Sequence, residues 1–235
     1  MRQIYKYNMK RFLEGELVDL YIPSEKFIQT NQTFEWWNNS KITKFLESGI
    51  KRNTLDDQLE YFKNTQNITF FYDDKTSIIG TTILQDINAS KKTAIIGFIR
   101  GEAKKDNTPP LQTLEAIAHT MDYAFNTLEL ERIFAIHHIG HIRFSHLLSL
   151  LGYRLEGIFR KDFIKNDWSE IDDRIHTVCH REDYNLIISK RGGSLWDQHK
   201  KMLQRAKLLP KTPFHILLQD FFNSHRDYYN NIFSL

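Results

Sequence analysis

The chain has 235 residues, 41% of them hydrophobic, 13% aromatic and 26% charged, with 32 Lys and Arg against 29 Asp and Glu. That length carries one large domain, or one domain with an appendage, and the apolar and aromatic content excludes intrinsic disorder. A net charge of +3 does not by itself call for a nucleic-acid partner, and a single cysteine, Cys179, excludes an intramolecular disulfide framework.

Met1 to Phe12 carries charges and no long apolar run, so no secretory signal is expected there. No stretch approaches the roughly 20 apolar residues that a membrane-spanning helix needs, and a cytoplasmic protein is the expectation. Cys179 closes the alternating run Ile175 to Cys179 and reads as a small buried hydrophobe rather than a nucleophile.

In chain order, Leu17 to Ile22 reads as a short strand stopped by Pro23, which cannot donate to a ladder. Ser24 to Asn39 contains Trp36 and Trp37, a pair that serves as a core plug or as a substrate wall. Thr54 predicts the cap of a helix over Leu55 to Asn64, with Asp56 and Asp57 at its positive end and Leu55, Leu59 and Phe62 at helical spacing. Three strands follow, Ile68 to Tyr72, Ser77 to Asp86 and Thr93 to Arg100, joined by Asp73-Asp74-Lys75 and by Asn88 to Lys92; Gly80 marks a bulge or a close backbone approach. Thr108-Pro109-Pro110 opens a long helix to about Asn126, with Leu111, Leu114, Ile117, Ala118, Met121 and Phe125 as its apolar stripe. Glu131 to His137 is a buried strand, and His141 to Leu151 a helix ended by Gly152. Tyr153 to Lys165 and Ile171 to His180 are strands joined at Asn166-Asp167, and Glu182 to Ser189 is a short helix.

Arg191-Gly192-Gly193 is the clearest boundary, because paired glycines break both helix and strand. It separates a domain over residues 1–190 from an extension over 194–235 with helices at Leu195 to Leu208 and Pro213 to Phe233. Leu203, Leu208, Ile216, Leu217, Phe221 and Phe222 give that extension apolar surface enough to cap the domain or to form a homodimer contact. A strand meander that feeds a strand–helix–strand unit predicts an α+β fold around a mixed sheet.

Three stretches carry a family resemblance. Phe34-Glu35-Trp36-Trp37-Asn38-Asn39, with Ile42-Thr43-Lys44-Phe45-Leu46 behind it, is one. Glu115-Ala116, Tyr123-Ala124-Phe125 and Leu128-Glu129-Leu130-Glu131-Arg132-Ile133 form the second. Leu151-Gly152-Tyr153-Arg154-Leu155-Glu156-Gly157-Ile158-Phe159-Arg160 is the third, with Trp168 to Asp173 fitting the same region. Together, over about residues 14–188, they resemble the GNAT acyltransferase superfamily, in the branch of ribosomal-protein N-terminal and amino-sugar acetyltransferases.

The resemblance implies a GNAT-like, mostly antiparallel sheet with flanking helices and acetyl-CoA as co-substrate. Thr93–Arg100 and Arg132–His137 would splay apart, and the pantetheine arm would lie along Gly97, Phe98 and Ile99. The next helix would point its N-terminus at the pyrophosphate. There the chain departs from the family. The usual glycine positions fall on Leu111 and Thr113, and the Gln/Arg position on Thr108; Thr108, Gln112 and Thr113 could supply other hydrogen bonds, and Lys104 and Lys105 charge. On the last cofactor helix, His141 stands where Asn is usual and Phe144 where a small polar residue is.

The strand Thr93–Arg100 carries no carboxylate, so a general base must come from elsewhere. His137 and His138, at the end of the neighbouring strand on opposite faces, are the candidates. Tyr153 is placed by the resemblance near the thiol end. Glu35, Trp36, Trp37, Asp172 and Asp173 are candidates for holding the substrate. His137, His138 and His141 lack the further ligand of a four-coordinate zinc site, so no metal is expected. The expected activity is transfer of an acetyl group to a primary amine of a small molecule, an amino sugar linked to a nucleotide being one form, with no nucleic-acid or membrane partner. The alternatives are a protein N-terminal acetyltransferase and a degenerate domain of this fold that binds without catalysing.

Overall fold

The computed structural model describes residues 5–6, 8–30, 35–46, 52–101, 110–164, 171–209 and 214–235. Its strands are β1 (Tyr5–Lys6), β2 (Met9–Glu14), β3 (Asp19–Ile22), β4 (Ile68–Asp73), β5 (Ile78–Asn88), β6 (Thr93–Arg100), β7 (Arg132–His138), β8 (Arg154–Ile164) and β9 (Ile171–His180). Its helices are α1 (Glu25–Thr30), α2 (Glu35–Asn38), α3 (Leu55–Asn64), α4 (Leu111–Asn126), α5 (Ile142–Leu148), α6 (Arg181–Arg191), α7 (His199–Leu208) and α8 (Phe214–Phe233). The strands form one sheet in the order β1-β2-β3-β4-β5-β6-β7-β9-β8. All its pairings are antiparallel except β6 with β7.

Helix α4 organises one face. Leu114, Ile117, Met121 and Phe125 recur at helical spacing, are buried, and pack on Leu84, Ala94, Ile96, Ile133 and Ala135 of the sheet. On the opposite face, Phe27 and Ile28 of α1 join Tyr21 and Phe71, with Leu59 and Phe62 of α3 against them. The predicted cap of α3 is present as a full capping box: the Thr54 hydroxyl accepts from Asp57 N–H, and the Asp57 carboxylate accepts from Thr54 N–H.

Strands β1 and β2 extend the sheet beyond the expected first strand. Charged Lys10, Arg11 and Glu14 break up the apolar signal of β2, yet Met9 is buried on one face and Phe12 stacks on Phe70 at 4.5 Å on the other. Glu115, in the middle of the α4 core, holds the turn after β2 in place. Its buried carboxylate accepts from the N–H groups of Glu16 at 2.6 Å and Leu17 at 2.7 Å.

The segment after Gly192–Gly193 packs onto α4. Leu195, Trp196 and Met202 belong to the same core, and Leu203 lies against it. Asp122 of α4 accepts from the Ser194 hydroxyl at 2.7 Å and from Leu195 N–H at 3.2 Å. Burial raises the Asp122 pKa against these hydrogen bonds. Glu16 accepts from the Trp196 indole at 3.1 Å and from His199 N–H at 2.7 Å. Leu208 and the distal residues of α8, Tyr228 and Phe233 among them, are exposed. Among the described residues no helix is long and apolar enough to cross a membrane.

Candidate active site

The parallel pairing of β6 with β7 runs only through Thr93–Arg132, Ala94–Ile133 and Ile95–Phe134. β6 continues to Arg100 on β5, and β7 continues to His138 on β9, so the two strands part after Ile95. Gly97, Phe98 and Ile99 pair with β5 on one side and, on the other, line a wedge-shaped gap where no described strand pairs with them. A Cβ built on Gly97 would meet the Gln85 side-chain oxygen at 3.9 Å and Ile83 Cβ at 4.0 Å, ordinary van der Waals distances, so the strand is not crowded there.

Helix α4 begins at the wide end of this gap. Pro110 is its N-cap and offers no side-chain cap, so the first-turn N–H groups of Leu111, Gln112 and Thr113 point out along the axis. The Gln112 and Thr113 side chains face inward to other partners. Arg100 donates to the Gln112 carbonyl oxygen at 3.1 Å, and the Thr113 hydroxyl, fully buried, lies 3.0 Å from the Tyr72 hydroxyl. Burial pushes the Tyr72 pKa up to about 12. The buried Nε of Arg100 has no hydrogen-bond partner among the described residues. Sequence reasoning missed Arg100; its signal was its place as the last residue of the strand beneath the helix entrance. Thr108, Pro109, Lys104 and Lys105 lie outside the described residues, as do Phe34, Asn166, Asp167, Trp168 and Pro210.

A run of rings crosses the gap. Phe98 and Phe144 have centroids 4.5 Å apart, Phe144 stacks on His141 at 5.5 Å, and His141 stacks on Phe45 at 4.9 Å. Phe45 also stacks on His138 at 5.4 Å, and Phe163 meets His138 edge-on at 4.8 Å. The structure thus brings Phe98, His138, His141 and Phe144 together and adds Phe45, from the 3-10 turn Thr43–Phe45, and Phe163. Sequence reading quoted Phe45 only as part of a motif, because its partners are distant in the chain.

The two histidines of β7 face opposite ways. His137 lies beneath α5, its Nε2 hydrogen-bonded to the Ser145 hydroxyl. Ser145 donates its own proton to the His141 carbonyl at 3.1 Å, so it accepts from His137, which is held as the neutral Nε2–H tautomer. Burial first, then the neighbouring histidines, pull the His137 pKa down to about 3; burial and the His138 charge pull His141 down to about 4. On the other face, Gly140 N–H donates to His138 Nδ1 at 2.8 Å. That places the neutral-state proton on Nε2, which lies 3.0 Å from an oxygen of half-buried Asp172.

The remaining candidates are more dispersed. Asp173 accepts from Lys161 N–H at 2.9 Å across the β8–β9 irregularity, and Asp172, not Asp173, reaches the histidine. Trp36 lies flat against Gly101, where an added Cβ would sit 2.8 Å from its ring, next to the end of β6. Trp37 joins Trp36 in lining a small recess with Gln58, Tyr61 and Thr81. Glu35 is exposed at the start of α2. The Tyr153 hydroxyl is buried in the α4 core without a partner among the described residues, and burial raises its pKa well above the usual phenol value. Cys179 is fully buried, its thiol pushed up by burial. Among the described residues no three His, Cys, Asp or Glu side chains converge on a metal position.

No protein-family model matches the sequence, and no curated protein is significantly similar to it. Solved structures are similar in fold. A spermidine N-acetyltransferase from Vibrio cholerae, in complex with CoA and spermine, aligns with a TM-score of 0.62 at 20% identity, over 73% of this chain and 99% of that one. The ribosomal-protein-S5-alanine acetyltransferase from Vibrio fischeri aligns with a TM-score of 0.57 at 19% identity, over 73% and 97%. The chain therefore has the GNAT acetyltransferase fold.

Proposed function

We propose that this chain is an acyl-CoA-dependent N-acetyltransferase whose acceptor is a primary amine of a small molecule. One observation carries the reading: among the described residues, the β6–β7 wedge ends at a helix N-terminus with no side-chain cap, beside a guanidinium whose buried Nε lacks a partner. A pantetheine arm can pair with the backbone of Gly97 to Ile99, and a pyrophosphate can take the α4 N–H groups and Arg100 in place of a glycine-rich turn. The acyl-transfer unit spans residues 1–190, and 194–235 form an extension packed on it through Asp122 and Glu16. The Vibrio cholerae spermidine N-acetyltransferase of this fold is seen in complex with CoA and spermine, which supports acetyl-CoA as donor and a small amine as acceptor.

The chemistry is direct. The amine nitrogen attacks the thioester carbonyl, the C–N bond forms as the C–S bond breaks, and the thiolate leaves to take a proton. Asp172 accepts a hydrogen bond from the incoming amine between the rings of Phe45 and Phe163. The Asp172 carboxylate takes up its proton, with His138 Nε2 3.0 Å away on the same side. His137, held neutral under α5, positions that end of β7.

Isothermal titration of the full chain with acetyl-CoA, beside plain CoA, is the test. The expected result is micromolar binding that weakens at least tenfold in Arg100→Ala. No binding of folded protein at millimolar cofactor overturns the reading. The ring run across the gap and the side chains of Leu111 and Thr113 favour a second reading, a degenerate domain that binds a partner without catalysis, and that result would leave it standing. Given binding, amino sugars, free and nucleotide-linked, polyamines and N-terminal peptides are the acceptors to screen.

A further inference from the structure

The sheet opens a second time, three strands from the first gap. β3 pairs with β4 only at Leu20–Tyr72 and Tyr21–Phe71, and Pro23 then ends the ladder because it has no N–H, while β4 runs on to Ile68. Over Ile68 to Phe70 this edge of β4 pairs with no strand among the described residues, although β5 covers the other edge. A cleft of about 390 Å³ lies along the opening, and side chains from both faces of the sheet line it. Phe12, Phe70 and Tyr123 come from the α4 face, where Phe12 stacks on Phe70 at 4.5 Å and Tyr123 stands edge-on to both at 5.2 and 5.7 Å. Ile28, Leu59 and Phe62 come from the face that α1 and α3 cover.

A cleft lined from both faces runs along the sheet rather than under it, and it has the place of a missing length of strand. Three residues of strand, roughly 10 Å, span the open edge. Such an edge is a template: main-chain hydrogen bonds hold an added strand, and pockets on alternate sides read its side chains. Phe12, Ile22, Leu59, Phe62 and Tyr123 keep part of their surface exposed around the opening. The polar side chains at the mouth are already engaged. The Ser24 hydroxyl donates to the Asn8 carbonyl at 2.7 Å and accepts from Phe27 N–H at 3.1 Å. Asn67 donates its N–H to the Thr65 hydroxyl at 3.0 Å and its side-chain amide to the Tyr61 hydroxyl at 2.8 Å. Glu25 and Lys63 pair at 3.1 Å, so neither sign of charge is favoured there.

We propose that this opening docks an extended segment of a partner protein, which adds to the free edge of β4 as a short strand with three consecutive apolar residues. A strand enclosed on both faces reads as a continuous apolar run, and its successive side chains alternate between the Phe12 and Tyr123 side and the Leu59 and Phe62 side. The site is distinct from the β6–β7 wedge. Tyr123 lies twelve residues beyond Leu111 on α4, roughly 18 Å along the helix. Docking requires no acyl transfer, so it stands or falls separately from the proposed activity.

The probe is the peptide acetyl-Lys-Val-Phe-Val-Lys-amide, beside the same peptide methylated on its three central amide nitrogens. Both are titrated into the full chain by calorimetry, with amide hydrogen exchange followed by NMR. Methylation keeps the apolar side chains and removes the main-chain donors, so it separates strand pairing from apolar contact alone. The expected result is submillimolar binding of the first peptide, at least tenfold weaker for the methylated one, with exchange slowed between Ile68 and Phe70. Leu59→Trp, which fills the cleft, is expected to abolish binding while acetyl-CoA titration is unaltered. No binding at millimolar peptide, equal affinity of the methylated peptide, or unchanged exchange between Ile68 and Phe70 overturns the proposal. A homodimer in sedimentation that protects these amides without peptide overturns it too, since a second copy then occupies the edge. If Leu59→Trp fails to fold, the methylation comparison decides alone.

Discussion

The Tyr72 hydroxyl meets the Thr113 hydroxyl at 3.0 Å by reaching over β5, which has no side chain in its way at Gly80. The same hydroxyl comes within 3.5 Å of the Ile99 carbonyl on β6. One phenol therefore links β4, the wall of the wedge and the first turn of α4. Gly80 is required by space: a Cβ there would overlap the Tyr72 ring and the Ile99 carbonyl. Gly80→Ala should lower stability by about 1–3 kcal/mol or more through overpacking. Tyr72→Phe, which orphans the Thr113 hydroxyl, should cost about 1–3 kcal/mol. Urea denaturation of both variants checks this, and a loss below 0.5 kcal/mol, in order-of-magnitude terms, would remove the strut from the account.

Glu115 was legible only as part of a motif, yet its carboxylate takes two backbone N–H groups from the turn after β2. Glu115→Gln keeps the shape but turns one acceptor into a donor that faces an N–H. A loss of about 1.5–3 kcal/mol is expected, the worth of hydrogen bonds to a charged group, with faster hydrogen exchange at Glu16 and Leu17.

The depressed histidines set a pH dependence. Both pKa values fall from 6.5, His137 to about 3 and His141 to about 4. An unfolded chain takes up these protons at higher pH than the folded one, so the folded state is favoured fully above pH 6.5 and loses that advantage as pH falls toward 4 and then 3. His141→Phe preserves the ring stack and removes one titration. Its thermal midpoint should fall less between pH 7 and pH 4.5 than that of the unaltered chain, as scanning calorimetry would show; parallel curves would contradict the assignment.

Asp172→Asn tests the proposed acceptor site. The substitution removes the charge beside His138 and leaves the wedge and α4 untouched. Turnover with the identified amine should fall about 10²–10⁴-fold while acetyl-CoA affinity stays within a factor of two, the range set by loss of an acid–base group. Asp173→Asn, which touches Lys161 N–H instead, should affect turnover far less.

The fold was legible where local chemistry and tertiary packing agree. The apolar stripe of α4, the Thr54 cap and the strands from Ile68 to Arg100 each announce themselves in a short window. β2 did not, because Lys10, Arg11 and Glu14 sit between the residues that it buries. The candidate site was legible by type and position more than by partner. His137 and His138 were expected on opposite faces and are, but the Ser145 and Gly140 contacts that settle their tautomers depend on how α5 returns over the sheet. Arg100 and Phe45 gain their interest only from neighbours that sequence spacing does not bring together.

Glu16 receives hydrogen bonds from Trp196 and His199, side chain to indole across 180 residues of chain. During synthesis this clasp cannot close until α7 has emerged, and it needs the β2–β3 turn already anchored by Glu115. Until then the surface of α4 that Leu195, Trp196 and Met202 cover stays wet and adhesive. A later segment of the chain thus seals an earlier one, and a nascent chain cut short near Gly193 would present that apolar surface to chaperones and proteases.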